Sequence, residues 1–153
     1  MRLLALDVGD RRLGVALSDE TGLIATPLTV IHRASKAEDS AQIARLVREL
    51  GVEGLVIGYP LNADGSAGPQ ARRIKRYATA VTEALRAEGL DMPLTFWDES
   101  LSTRRAQEAM LAAGRKAKDR RARIDAVAAA VILQDYLDAR RPAARGLMEE
   151  EAC

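Results

Sequence analysis

The order of apolar and polar positions divides the chain into short apolar runs and longer amphipathic segments. Residues 3–8 are apolar except for Asp7, a pattern typical of a strand buried on both faces and central in its sheet. A polar turn containing Gly9 leads into a second apolar run over 13–18. The two runs and their short turn predict an antiparallel hairpin, and a third run at 28–31 adds a third strand.

The remainder of the chain alternates between helical and strand periods. Apolar residues recur with helical spacing over 36–50, 70–88, about 103–113 and 124–138, and short apolar runs at 55–57 and 94–97 predict two buried strands. Three meandering strands followed by helix–strand units predict a mixed five-stranded α/β sheet with helices on both faces. This predicted arrangement resembles the ribonuclease-H-like architecture.

Length and composition limit the class of protein. A chain of 153 residues with 48% hydrophobic and 29% charged residues is typical of one globular domain, which we place at 1–140 with 141–153 as a flexible tail. Cys153 is the single cysteine and His32 the single histidine, so disulfides and zinc sites with several cysteines or histidines are excluded. No apolar run is long enough to span a membrane, so we expect a cytoplasmic protein without a membrane partner.

The distribution of positive charge is more informative than the net charge of +1. Residues 115–123 contain six Lys or Arg, and local clusters of this kind can contact nucleic acid. A solvated loop is the common alternative for such a run. The cations we expect to form a nucleic-acid surface are Arg11, Arg12, Arg104, Lys116, Lys118, Arg120, Arg121 and Arg123. Four more, Arg72, Arg73, Lys75 and Arg76, are expected on the outer face of the second helix.

Acidic residues occur where the predicted topology would gather them. Asp7 ends the first strand, Asp98 and Glu99 end the fifth, and Asp125 opens the predicted last helix. Ligands of such sheets lie beyond the carboxyl ends of the strands, and carboxylates are preferred ligands of Mg²⁺ and Mn²⁺. Two such ions can activate water and stabilise the leaving oxygen in phosphodiester hydrolysis. Each acid also has a structural alternative: a hydrogen-bonded turn for Asp7, a polar strand end for Asp98 and Glu99, and a favourable helix dipole for Asp125.

Four segments together resemble the YqgF/RuvX family, whose members are named Holliday junction resolvases or pre-16S rRNA processing nucleases. The resemblance covers about residues 1–138 and is carried by LALDVGDRRLGVALSD at 4–19, VIGYPLNADGS at 56–66, DESLST at 98–103 and IDAVAAAVILQDYLD at 124–138. It implies that Asp7, Glu99 and Asp125 are the catalytic and metal-binding carboxylates, with Asp98 as a fourth candidate ligand. Ser100 stands where the family usually has arginine.

The resemblance implies a nuclease, dependent on Mg²⁺ or Mn²⁺, that acts on RNA in the 5′-end processing of pre-16S rRNA during ribosome biogenesis. One alternative is a resolvase of branched DNA, which would require a homodimer. Another is a non-catalytic assembly factor that binds rRNA. The hairpin with Asp7, Gly9 and Gly14 also resembles the phosphate-binding hairpin of the actin, heat-shock chaperone and sugar-kinase superfamily. Those proteins clamp ATP between two such domains, and this chain has the length of one.

Overall fold

Five strands and three helices form the part of the chain that the computed structural model describes, residues 1–98 and 117–140. Of residues 117–123 it describes the backbone alone. In chain order the elements are β1 (Leu3–Val8), β2 (Arg12–Ser18), β3 (Ala25–His32), α1 (Lys36–Leu50), β4 (Gly54–Tyr59), α2 (Pro69–Ala87), β5 (Leu94–Asp98) and α3 (Ala117–Ala139).

The strands form one mixed sheet in the order β3-β2-β1-β4-β5. β2 is antiparallel to both β1 and β3, whereas β4 is parallel to β1 and β5. The prediction that the first strand is central is therefore confirmed, and so is the five-stranded mixed sheet. Because β1, β4 and β5 run in the same direction, their carboxyl ends meet at one edge of the sheet.

Helices cover the two faces of this sheet separately. Leu4 and Leu6 of β1 pack into the core formed with α1 and α2, whereas Leu3 and Ala5 pack against α3. Successive strand residues point to opposite faces. The same alternation places Asp7 on the α3 face.

Capping residues set the limits of α1 at the positions expected from the sequence. The side chain of Ser35 accepts a hydrogen bond from the backbone N–H of Glu38 at 3.1 Å. At the other end Gly51 adopts a left-handed backbone conformation, with φ of 65°, and its N–H bonds to the carbonyl of Val47. Such a conformation favours glycine, so the helix ends there.

The last helix differs from its prediction. It begins at Ala117 rather than at 124, so Asp125 lies more than two turns inside it. A stabilising effect of the helix dipole falls off within the first turn, so that structural interpretation of Asp125 is wrong. The solvated-loop interpretation of the basic run is also wrong for residues 117–123, whose backbone is helical.

Two predicted segments fall on residues outside the described part of the chain. They are the helix at about 103–113 and the tail at 141–153. No helix within residues 1–98 and 117–140 combines the length and hydropathy needed to span a bilayer.

Candidate active site

Asp7 occupies the carboxyl end of the central strand. The four residues before it are buried, whereas Asp7 itself is half-buried near the point where the strand ends. In the antiparallel register it lies directly opposite Gly14 of β2. Paired residues of neighbouring strands share a face, so Asp7 and Gly14 both lie on the α3 side.

Gly14 allows α3 to approach the sheet at this point. A Cβ atom on Gly14 would lie 1.8 Å from the carbonyl oxygen of Asp125 and 2.3 Å from its carbonyl carbon. Atoms cannot approach so closely, and both of these belong to backbone, which cannot rotate away. Glycine is therefore required here, and its absent side chain lets Asp125 lie next to the strand pair that carries Asp7.

Arg12 binds the carboxylate of Asp125. Its Nε donates a hydrogen bond of 2.7 Å to Asp125 Oδ2, and the two side chains are 39% and 24% exposed. A hydrogen bond between ionised groups is shorter and stronger than a neutral one, so the pair fixes the orientation of the carboxylate. Arg12 was expected to contact phosphate; the structure gives it a carboxylate partner.

Asp98 lies on the other face of the sheet from Asp7. It is the last residue of β5 and pairs with Tyr59 of β4. Phe96 packs into the core with α1 and α2, whereas Trp97 packs against α3. Strand alternation therefore places Asp98 on the α1 and α2 side.

The remaining expected site residues divide into two groups. Arg11 is exposed in the turn between β1 and β2. Glu99, Arg104 and Lys116 lie outside the described residues, as do the side chains of Lys118, Arg120, Arg121 and Arg123. Within residues 1–98 and 117–140, no three Asp, Glu, His or Cys side chains are grouped as a metal site. Asp7 and Asp125 are the two expected ligands that the described structure brings together at Gly14.

Arg33 holds the turn that follows Asp7, a role that sequence reasoning missed. Its Nη1 donates a hydrogen bond of 2.6 Å to the carbonyl of Gly9, and its backbone N–H bonds to the carbonyl of Arg11 at 2.9 Å. The guanidinium lies 4.3 Å from the centre of the Tyr77 ring. These contacts fix the backbone just beyond the carboxylate of Asp7.

The buried carboxylate of Asp39 contacts both Arg33 and Tyr77. Asp39 is 1% exposed, and its Oδ2 lies 4.0 Å from Arg33 Nε and accepts a 2.7 Å hydrogen bond from the Tyr77 hydroxyl. Burial, and then the hydrogen bond and charge of Asp39, raise the pKa of Tyr77 above its ordinary range. In sequence Asp39 resembles an ordinary acid of a first helical turn. Its pairing with a tyrosine 38 residues away left no local signal.

This fold, with Asp7 at the end of its central strand and Asp125 on the adjoining helix, defines a ribonuclease-H-like domain. Two solved structures share it at low sequence identity. The RuvC of T. thermophilus in complex with a Holliday junction substrate has a TM-score of 0.56 at 18% identity, covering 92% of this chain and 95% of that chain. A second structure of Thermus thermophilus RuvC has a TM-score of 0.52 at 18% identity, covering 92% and 96%. The expected fold class is thus confirmed.

Sequence comparison identifies the family. The family described as RuvX: Holliday junction resolvase matches residues 1–139. A "Putative pre-16S rRNA nuclease" from Syntrophus aciditrophicus is 45% identical over 139 residues, covering 91% of this chain and 89% of that protein. A protein of the same name from Chloroflexus aurantiacus is 46% identical over 139 residues, covering 91% and 88%. The chain belongs to the RuvX family, and it is a nuclease.

Proposed function

We propose that this nuclease cleaves RNA in the 5′-end processing of pre-16S rRNA, in the cytoplasm, with divalent metal ions held by Asp7, Glu99 and Asp125. The observation that carries the proposal is the contact at Gly14, which brings Asp125 of α3 next to the strand pair containing Asp7. The names of the relatives from Syntrophus aciditrophicus and Chloroflexus aurantiacus support the choice of RNA and of this precursor.

The available side chains fit a hard divalent cation. Asp7 and Asp125 supply carboxylate oxygens, which Mg²⁺ and Mn²⁺ prefer over nitrogen or sulfur. We choose Glu99 as the third ligand rather than Asp98, because Asp98 lies on the face away from α3. When bound, the cation would polarise a phosphoryl oxygen and lower the pKa of a water molecule.

The protein's own contribution is to hold these carboxylates in place. Asp7 is fixed by the rigid central strand, and Arg33 fixes the turn beyond it. Arg12 orients the Asp125 carboxylate through its 2.7 Å hydrogen bond. A carboxylate oriented in advance loses little conformational freedom when it binds a cation or substrate.

Basic residues on both sides of Asp7 and Asp125 would contact the substrate's phosphates. Arg11 is exposed in the adjoining turn. The helical backbone of residues 117–123 continues directly to Asp125, so this part of the basic run belongs to the same helix as a candidate ligand. We assign phosphate contacts to Arg11, Arg104, Lys116, Lys118, Arg120, Arg121 and Arg123.

Resolution of Holliday junctions is the second candidate function. The family description and the RuvC complex with a Holliday junction substrate favour it. A resolvase cuts two strands and therefore needs a homodimer. Binding without cleavage and hydrolysis of ATP remain the two further hypotheses.

A cleavage assay with matched substrates separates these functions. Wild type and Asp7→Asn are compared on an RNA spanning the 5′ end of 16S rRNA, on single-stranded DNA and on a four-way junction. Each is tested with Mn²⁺, with Mg²⁺ and with chelator. We expect wild type to cut the RNA in metal only, and Asp7→Asn to bind the RNA without cutting it. Paired cuts in the junction alone would instead establish a resolvase. RNA binding without any metal-dependent cleavage would favour an assembly factor, and ATP turnover would favour the ATP-binding alternative.

A further inference from the structure

The first half of α2 carries a concentration of unpaired positive charge. Its four cations, Arg72, Arg73, Lys75 and Arg76, are all exposed, and residues 69–82 contain no acid. We call these four residues the α2 basic face. In the described part of the chain none of them is paired with a carboxylate. Arg72 Nη1 donates a 3.0 Å hydrogen bond to the carbonyl of Ala67.

This arrangement opposes the stability of the helix. Cations near a helix N-terminus are repelled by the helix dipole, and like charges three or four residues apart repel one another. α1 follows the favourable pattern, with Glu38 and Asp39 in its first turn and Arg48 in its last. α2 has no acid in its first turn and no side-chain hydrogen bond at its N-cap, Gly68. A local preference broken in this way is expected where a residue serves function.

The α2 basic face adjoins the candidate active site. A cavity of about 90 Å³ separates the start of α2 from the turn after Asp7, and Gly9, Arg33, Arg73 and Tyr77 are among the residues that line it. Arg73 therefore lies across this small cavity from the backbone that Arg33 holds. α2 packs on the face of the sheet opposite α3. We call the edge formed by the carboxyl ends of β1, β4 and β5 the catalytic edge. The α2 basic face and residues 117–123 thus lie on opposite faces of the sheet beside this edge.

We infer that the α2 basic face is a second nucleic-acid contact surface, on the far side of the catalytic edge from α3. A single-stranded segment continuing beyond the cleavage site crosses the turn after Asp7 and lays its phosphates along Arg72, Arg73 and Arg76. Arg76 lies four residues after Arg72 and three after Arg73, so it is a neighbour of both on the helix surface. The inference rests on the proposed nuclease function. Bound phosphate groups would neutralise these cations and so relieve their repulsion from one another and from the helix dipole.

Charge removal on α2 tests this surface against a matched control. Arg73→Gln with Arg76→Gln is compared with Arg45→Gln and Arg48→Gln, which removes the same charge from exposed positions on α1. Both pairs are placed in Asp7→Asn so that cleavage does not interfere. Affinity for a labelled single-stranded RNA is measured by fluorescence anisotropy over a salt series. The slope of log affinity against log salt should fall by about 0.7 for each lost contact, about 1.4 in all, for the α2 pair only.

Cleavage kinetics provide a second readout in the otherwise wild-type chain. The α2 pair should raise KM and leave kcat unchanged, because these residues bind substrate away from the reacting atoms. An unchanged salt slope, or an equal loss in the α1 pair, would overturn the inference. The inference would also be overturned if the α2 pair lost binding to polyglutamate but kept its binding to RNA. That result would indicate an acidic protein partner. The proposed function is judged separately, by whether Asp7→Asn in the native background abolishes cleavage.

Discussion

The ion pair between Arg12 and Asp125 joins a strand residue to a helix residue at the candidate site. Both side chains are partly exposed, and ion pairs open to solvent contribute at most about 1 kcal/mol to stability. The ion pair therefore orients the Asp125 carboxylate more than it stabilises the fold. The two effects can be measured separately.

Replacing Arg12 tests this orienting role. In Arg12→Ala the carboxylate of Asp125 loses its fixed partner, and we expect metal-dependent cleavage to fall by about 10- to 100-fold, as for other residues that orient metal ligands. The free energy of unfolding should change by less than about 1 kcal/mol. Arg48→Ala, which removes the exposed pair with Glu88, is the control. Equal activity in the two variants would show that Arg12 does not orient Asp125.

Tyr77 makes the stability of the protein depend on pH in the alkaline range. Its folded-state pKa lies above the ordinary value of 10.0, because burial and Asp39 disfavour the phenolate. The unfolded chain therefore releases this proton first, so the contribution is present below about pH 10 and is lost as pH rises further. Urea unfolding across this range should show a steeper decline for wild type than for Tyr77→Phe. Parallel curves for wild type and Tyr77→Phe would contradict the role of Tyr77.

The contact between β2 and α3 determines where Asp125 lies relative to the sheet. The alanine-rich face of α3 packs closely, with Ala128 and Ala129 buried next to the sheet. At Gly14 the helix backbone itself touches the strand. A side chain at this position would force the two elements apart and move one candidate ligand away from the other.

Gly14→Ala tests the dependence of the site on this contact. The added methyl group would meet the Asp125 backbone at 1.8 Å, so we expect a loss of about 1–3 kcal/mol in the free energy of unfolding. Cleavage should fall further than stability alone explains. Gly68→Ala is the control, since its Cβ would have contacts of 3.4 Å or longer and its φ of −82° suits any residue. Chemical denaturation and initial rates provide the two measurements. Wild-type cleavage in a folded Gly14→Ala protein would refute the requirement for close approach.

At the scale of the whole molecule, the sequence predicted the architecture better than the details of the site. Hydrophobic period located β1, β2, β4 and β5 and the limits of α1, because burial on defined faces dictates those patterns. The mostly exposed β3 begins at Ala25, three residues before the predicted run. The start of α3 was missed, since a cationic run has no apolar period to mark it as helical. Neither the Arg12–Asp125 pair, separated by 113 residues, nor the buried pairing of Asp39 with Tyr77 could be predicted, because both depend on tertiary packing.

Direct titration of Mn²⁺ tests the central claim, that Asp7 and Asp125 belong to one metal site. Calorimetry would compare wild type with Asp7→Asn, Asp125→Asn and Asp98→Asn. We expect wild type to bind Mn²⁺ and each of the first two variants to bind at least about tenfold more weakly. Asp98→Asn should bind like wild type, because Asp98 lies on the opposite face of the sheet. Unchanged affinity in both Asp7→Asn and Asp125→Asn would contradict the account.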